Sequence, residues 1–454
     1  MYERYHIHVK VTPPRQSPVP KFLIKRADNC INCGKCTRSC VYGVHLRRED
    51  DPRKMAEPIS QLCKNCFCCI VECPQRALTI ANNAQWKGMG SGVWSPQRVQ
   101  TIWNESETGK IPVLGAGYRG LYSGPGYDSM WTDMSEIVRP TRDGIHGREF
   151  ISTSVDIGRK PNKLAFDKQG RLLTQLTEVI DRPVPFMLDV TRFDALTTAM
   201  LEGYAMAAKE LQSLLLLPYG RGSEVQGKAP GALVPVLGSE DDPSKVDLSG
   251  IQMVEIEESP EWRTKFDILR HRYPRLIIGL RVSSRMGLEE EVADMAKKVD
   301  VIHVLFLESG MEEGGRWAKD AMRSVHRALV RKGVRDDVTL FSAGGISAAE
   351  MVPKAIICGA DAICLERALR VALECRACAC HDLSTCRANL GSTDAEFVAQ
   401  RVINMGNAWR DQLLEVLGAM GLKEVRRLRG EVGRAIFQED QEPESFANIG
   451  AGVR

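Results

Sequence analysis

Residues 338–365 read VTLFSAGGISAAEMVPKAIICGADAICL. The run opens on a short apolar strand, Val338–Phe341, and passes through two adjacent glycines into a helical stretch, Ala348–Cys358. It closes on a second strand, Ala360–Leu365. Neither strand alternates apolar with polar residues, so both faces of each should be covered, as in a parallel sheet under helices. The same rhythm extends toward the N-terminus. Val184–Val190, Ser213–Leu217, Ile251–Ile256, Leu276–Val282 and Val299–Phe306 are short apolar runs, with helix-like Ala195–Gln212, Leu288–Val299 and Trp317–Arg331 among them. Seven or eight such units in roughly 200 residues predict an α/β fold, a (β/α)8 TIM barrel rather than an open sheet.

Ser342, Gly344 and Gly345 end one of these strands, and Gly359 and Ala360 lead into the next. Glycines let backbone N–H groups approach a phosphate, and a helix N-terminus favours its charge. In such barrels a phosphate commonly lies between the loops after strands seven and eight. The two segments are therefore expected to hold the phosphate of FMN. A tight turn that needs glycine for backbone reasons alone is the alternative.

Fifteen cysteines are distributed unevenly: nine lie from Cys30 to Cys73, none between Cys73 and Cys358, and six from Cys358 to Cys386. A disulfide framework would not leave most of a chain empty, so metal binding is the expected role. The first group reads Cys30-x2-Cys33-x2-Cys36-x3-Cys40, and the second Cys63-x2-Cys66-x2-Cys69-x3-Cys73-Pro74. In such runs three thiolates converge on one iron–sulfur cube while the fourth ligates the other. Cys30, Cys33, Cys36 and Cys73 should hold one [4Fe–4S] cluster, and Cys63, Cys66, Cys69 and Cys40 a second. Zinc ribbons need only two CxxC pairs and leave the remaining cysteines unexplained. Cys68 is a spare thiol, expected to pack beside a cluster. The charged segment from His45 to Ser60 is expected as an exposed insertion.

Composition narrows the class. In 454 residues, 43% hydrophobic and 26% charged, the formal net charge is only +3, which gives no reason to expect nucleic acid or an anionic membrane. No apolar run is long enough to span a bilayer, and the start, MYERYHIHVK, has no apolar signal region. A cytoplasmic protein is expected. Gly115 to Gly120 match GxGxxG, but turn residues follow where a dinucleotide fingerprint needs a helix, so a glycine-rich loop is expected. The expected organisation is 1–80, a small α+β two-cluster ferredoxin-like domain; 81–160, an irregular wrapping linker; 161–390, the barrel; and 391–454, a helical extension.

A ferredoxin motif followed by this barrel resembles the FMN-binding synthase domain of glutamate synthase, in the short archaeal type with its own two-cluster ferredoxin. Val184-Pro-Phe-Met187, PYGRGSEVQGKAPG, SPEWRTKFDIL, IIGLRV, VIHVLFLESG and the quoted 341–363 stretch carry the likeness. The resemblance implies FMN in the barrel and a third iron–sulfur cluster after the last strand, where Cys375, Cys378, Cys380 and Cys386 stand. Three cysteines would suit [3Fe–4S] and four [4Fe–4S]; zinc is the alternative. It also implies that Arg281 occupies the family's substrate-site lysine position near the flavin. Arginine is a rigid fork that stays charged, so this is not a neutral exchange. Asp194, Glu312 and Glu313 stand in altered loops and should disfavour a dicarboxylate. The family's N-terminal cysteine nucleophile has no counterpart at Met1-Tyr2. Two functions are open at this stage: a flavin oxidoreductase, or an electron-transfer subunit within a hetero-oligomer. Its partners would be other redox subunits or a ferredoxin or flavoprotein donor. No catalytic residue is assigned.

Overall fold

The computed structural model describes residues 5–112, 124–132, 150–160, 164–174, 178–225, 227–229, 231–378 and 387–441. The chain divides into two compact units, Pro13–Gly90 and Met1–Thr12 with Ser91–Arg454.

In the smaller unit β1 (Phe22–Arg26) pairs antiparallel with β2 (Leu78–Asn82), Arg26 opposite Leu78. Helices α1 (Lys35–Ser39) and α2 (Cys68–Val71) are each entered through a left-handed residue, Gly34 at φ 73° and Phe67 at φ 61°. That reversal turns each three-cysteine loop back on itself. The short α3 (Ala84–Lys87) is capped by the Asn83 side chain. Between the two cysteine loops lies a hydrophobic cluster of Ile24, Cys36, Val44, Met55, Cys69 and Leu78. A unit this small usually needs a staple to hold its fold. His45 and Met55 are buried, so the 45–60 segment, expected to be exposed, turns two of its side chains inward.

The larger unit begins with α4 (Pro96–Thr108), β3 (Met130–Thr132) and a hairpin of β4 (Val155–Gly158) and β5 (Val179–Arg182). The parallel strands β6 (Phe186–Asp189), β7 (Leu215–Pro218), β8 (Leu233–Leu237), β9 (Met253–Glu257), β10 (Ile277–Ser283), β11 (Val301–Leu305), β12 (Thr339–Ala343) and β13 (Ala362–Leu365) close an eight-stranded barrel in chain order. Helices α5 (Thr198–Glu210), α6 (Trp262–Arg272), α7 (Leu288–Met295), α8 (Ala318–Arg331), α9 (Met351–Ile357) and α10 (Arg367–Ala372) follow β6, β9, β10, β11, β12 and β13. β7 leads instead into a 3-10 turn, Tyr219–Glu224, and no helix is described between β8 and β9, so the helical layer is incomplete. The long α11 (Ala395–Ala419) packs on α5 and α4, and β14 (Ala435–Phe437) pairs with β3.

β8 was not among the runs read as strands, because Pro235 interrupts LVPVL and proline removes a ladder donor. Here Pro235 lies opposite Leu217 and its carbonyl side still pairs. The stretch expected as an irregular linker carries a well-signalled helix: the Ser95 side chain caps α4, Pro96 opens it and Gly109 closes it in the left-handed region. Residues before Pro13 lie in the larger unit, where the Tyr5 hydroxyl donates to Leu211 O at 2.7 Å and Asn404 Nδ2 to Lys10 O at 2.8 Å. Among the described residues no helix is long and apolar enough to cross a membrane.

Glu105 on α4 is buried, and Trp409 Nε1 donates to its Oε2 at 2.9 Å. Burial pushes its carboxyl up to about 8, against the pull of the Trp409 hydrogen bond. The folded chain therefore holds a proton that the unfolded chain has lost, and stability falls as pH rises from the ordinary carboxylate range through about 8. Glu105→Gln keeps an acceptor for Trp409 without the charge. It should unfold at the same denaturant concentration as the parent at pH 5 and be the more stable by about 1–3 kcal/mol at pH 9. Parallel urea curves at both pH values would contradict this.

Candidate metal centres and barrel mouth

Cys30, Cys33, Cys36 and Cys73 line one small cavity, together with Arg26, Met55 and Leu78. Cys40, Cys63, Cys66 and Cys69 line a second, with Ile24, Val44, His45 and Ile80. These are the two crossed sets that the spacing suggested. Backbone N–H groups already point at sulfur: Ala77 at Cys73 Sγ, 3.3 Å, and Asn65 at Cys63 Sγ, 3.4 Å. Burial raises the Cys36 thiol, and it pushes Cys69 up to about 11, with Cys40, Cys63 and Cys66 adding to the effect. A cationic centre bound among these cysteines would favour their thiolates.

Two further side chains line these cavities. Among the described residues Arg26 Nε and Nη2 are buried without partners, as are both ring nitrogens of His45. Burial, and then the Arg26 charge, hold His45 below the usual imidazole range. Cys68, expected to pack beside a cluster, is exposed at the start of α2, since the left-handed Phe67 swings it outward. At the C-terminal group Cys375 is buried, with its carbonyl accepting from Trp103 Nε1 at 3.3 Å. Arg367 Nη2 donates to Cys378 O at 2.8 Å. Cys380 and Cys386, like Gly115–Gly120, lie outside the described residues.

Inside the barrel the charges are dense. Strands β6 and β10 stand opposite one another, and Arg281 reaches across to Asp189 Oδ2 at 2.8 Å. Its Nη1 lies 3.5 Å from Glu255 Oε2, and Glu255 in turn meets His303 Nδ1 at 3.0 Å. All four side chains are essentially inaccessible. Gly279 has no side chain because Glu255 passes there; a Cβ would come within 3.0 Å of its Cγ. Burial alone would raise Asp189, but Arg281 and then His303 outweigh it and hold the carboxyl below its usual range. TIM-barrel interiors are normally filled by branched apolar side chains. Above this layer Arg192 pairs with Glu366 and donates to Phe306 O, while Arg367 and Arg370 both reach Glu308, at 2.6 and 2.7 Å.

Gly344 and Gly345, at φ 100° and 72°, form the loop leaving β12. A Cβ on Gly345 would overlap Gly310 Cα, and one on Gly344 would lie 2.5 Å from Phe306 O. The loop is buried, yet no protein acceptor among the described residues meets the N–H groups of Gly345 and Ile346. Ser347 N–H finds only Met351 Sδ, at 3.3 Å. Unsatisfied successive amides of this kind make an anion nest, so the residues present fit a phosphate. Ser347 Oγ donates to Val93 O, and Trp94 Nε1 to Glu308 O, which closes a lid of two residues beside the loop.

The six residues assigned to the flavin by sequence do not gather at one site. Gly344 and Gly345 are at the C-terminal mouth. Arg281 is within the barrel, engaged by two carboxylates. Ser342 alternates with Phe341, whose ring stacks edge-on against His303 in the interior, so Ser342 faces the helical layer. Gly359 and Ala360 precede β13 and therefore lie at the opposite, N-terminal end, where Gly359 O accepts from Arg335 and a Cβ at 359 would strike His326. Glu312, expected as an acid in the substrate site, is buried against Arg316 Nε at 2.8 Å and Ser284 Oγ at 2.9 Å. Asp194 and Glu313 are exposed. The sequence reading missed Asp189, Glu255 and His303, although each is a charged or polar residue inside an apolar run: FMLD, MVEIE and VIHVL.

Against known proteins, residues 247–423 match the family described as "Conserved region in glutamate synthase". The archaeal-type glutamate synthase [NADPH] of Dehalococcoides mccartyi is 24% identical over 90% of this chain and 94% of its own. The archaeal glutamate synthase [NADPH] of Archaeoglobus fulgidus is 26% identical over 96% of this chain and 98% of its own. Over nearly its full length, then, the chain is a distant homologue of archaeal-type glutamate synthases, which are oxidoreductases. Among solved structures a flavocytochrome b2 mutant with pyruvate bound superposes with a TM-score of 0.43 at 14% identity, covering 72% of this chain and 80% of that one.

Proposed function

We propose that this chain is an iron–sulfur flavoprotein oxidoreductase, with two [4Fe–4S] clusters in the smaller unit and FMN at the mouth of the barrel. The observation that carries the reading is the gathering of eight cysteines, in two crossed sets of four, around two separate cavities. Bound there, the clusters would carry single electrons and the flavin would exchange them with a two-electron substrate. Gly345 and Ile346 would hold the flavin phosphate through their backbone N–H groups, and Gly344 would allow that close approach. Cys375, Cys378, Cys380 and Cys386 would hold a third cluster, [3Fe–4S] or [4Fe–4S]. The donor would be a ferredoxin, a flavoprotein or another redox subunit of a cytoplasmic hetero-oligomer. Anaerobically purified protein should yield about eight irons from the smaller unit. Cys33→Ala should abolish one cluster's signal and Cys66→Ala the other's. Stoichiometric zinc in place of iron would end this reading.

FMN, not FAD, should be released on denaturation. Gly345→Asp should leave the protein flavin-free, because it sets a carboxylate in the amide nest and overlaps Gly310. Flavin retained in that variant at the parent level would move the phosphate elsewhere. A second reading, an electron-transfer subunit whose barrel turns over no substrate of its own, is favoured by one observation. Arg281, at the position implied for substrate or flavin contact, is already engaged by Asp189 and Glu255.

A further inference from the structure

If both cysteine cavities hold [4Fe–4S] clusters, the protein around them is not symmetric. Arg26 ends β1 opposite Leu78, and its Nη1 is anchored on Ala56 O at 2.5 Å. That anchor fixes the guanidinium, whose Nε and Nη2 are buried without a partner in the wall of the Cys30, Cys33, Cys36 and Cys73 cavity. A buried guanidinium with two idle donors is costly unless an anion meets it. The second cavity has no arginine in its wall; it is lined instead by His45, 1% exposed, with both ring nitrogens idle among the described residues. Other differences are small. Each cavity has one exposed lysine on its rim, Lys35 or Lys64, and one exposed cysteine, Cys33 or Cys66. Exposed charges of this kind are screened.

We propose that Arg26 is a positioning residue that gives the cluster held by Cys30, Cys33, Cys36 and Cys73 the higher reduction potential of the pair. An electron entering this unit then comes to rest at that cluster. This inference rests on the cluster reading above. Reduction adds one electron, taken from an external reductant such as dithionite, and therefore one negative charge to the cube; no bond or proton need move. A fixed positive charge in the wall stabilises the reduced form over the oxidised one. Hydrogen bonds from Nε and Nη2 to the cluster sulfurs act in the same direction. His45 offers hydrogen bonds but no fixed charge.

The test is a potentiometric titration of the full, anaerobically purified chain, followed by electron paramagnetic resonance. The two steps are assigned by their separate loss in Cys33→Ser and Cys66→Ser. The step lost in Cys33→Ser should be the higher one. Arg26→Gln should lower that step at least tenfold in its equilibrium constant, about 59 mV for one electron, and move the other much less. Arg26→Lys should restore most of the shift, which a merely structural role would not predict. If Arg26→Gln loses its iron, the comparison of the two cysteine variants still decides. Retention of the higher step in Cys33→Ser, or equal shifts of both steps in Arg26→Gln, overturns the inference while the clusters stand. An iron-free parent chain overturns the cluster reading and this inference together.

Discussion

Arg281→Met should destabilise the larger unit by about 3–5 kcal/mol, the magnitude found when one partner of a buried ion pair is removed. Methionine fills much of the arginine's volume, so little of this loss comes from a cavity. It comes from Asp189 and Glu255, left with no cation between them in a barrel interior that water does not reach. The pH dependence supplies an internal control. In the parent, Arg281 helps hold Asp189 below the usual carboxylate range, so this contribution is present above about pH 4 and lost as pH falls through the folded value. In the variant the carboxylates gain by taking up protons, so its deficit should shrink steadily on acidification. Adding Asp189→Asn should recover part of the loss at neutral pH, because the two sites share one interaction. Denaturant unfolding at pH 7 and pH 5 checks all of this. A deficit within about 1 kcal/mol at pH 7 would mean that the pair contributes little.

The barrel was legible because its strands are buried on both faces. Runs such as IIGLRV and VIHVLF have no polar alternation, and the intervening helices carry a stripe pattern that length alone separates from strands. What was not legible follows from the same rule. A period-based reading treats Glu255 and His303 as interruptions in apolar strands, and only the closed geometry turns them toward Arg281. Pro235 hid β8 because a proline's cost depends on which neighbour needs its N–H, which spacing cannot reveal. Gly359 and Ala360 were grouped with Gly344 and Gly345 because they are close in sequence. In a parallel barrel, however, a strand and the loop before it start at the opposite end from the loop that precedes the helix. The grouping of the cysteines around two cavities follows their spacing, Cys73 with the first run and Cys40 with the second. Arg26 and His45 carried no such signal, being single residues whose role lies in what they face.

Dithionite-reduced protein mixed with 2-oxoglutarate and ammonia, or with 2-oxoglutarate and glutamine, should reoxidise no faster than in buffer alone. Forming glutamate from the imine of 2-oxoglutarate takes up two electrons and two protons, and it requires a pocket that receives two carboxylates. Such a pocket needs cations or N–H donors not already committed. The arginines of the barrel interior and its mouth pair with carboxylates of the chain. Arg281 is engaged by Asp189 and Glu255, Arg192 by Glu366, Arg367 and Arg370 by Glu308, and Arg316 by Glu312 and Glu289. A dicarboxylate that takes these arginines as its partners displaces a carboxylate of the chain itself, and stranding a buried charge in that way costs about 2–5 kcal/mol. On the affinity scale that is roughly 30-fold to several-thousand-fold per contact. On the proposed reading electrons enter through the smaller unit's clusters and not through these groups, so reduction by a low-potential ferredoxin should proceed normally in the same preparation. The decisive trace is a stopped-flow record of flavin absorbance after mixing. Rapid reoxidation, with glutamate formed in stoichiometric amount, would mean that the ion pairs at the mouth open for a dicarboxylate and that the chain synthesises glutamate as its distant homologues are named to do.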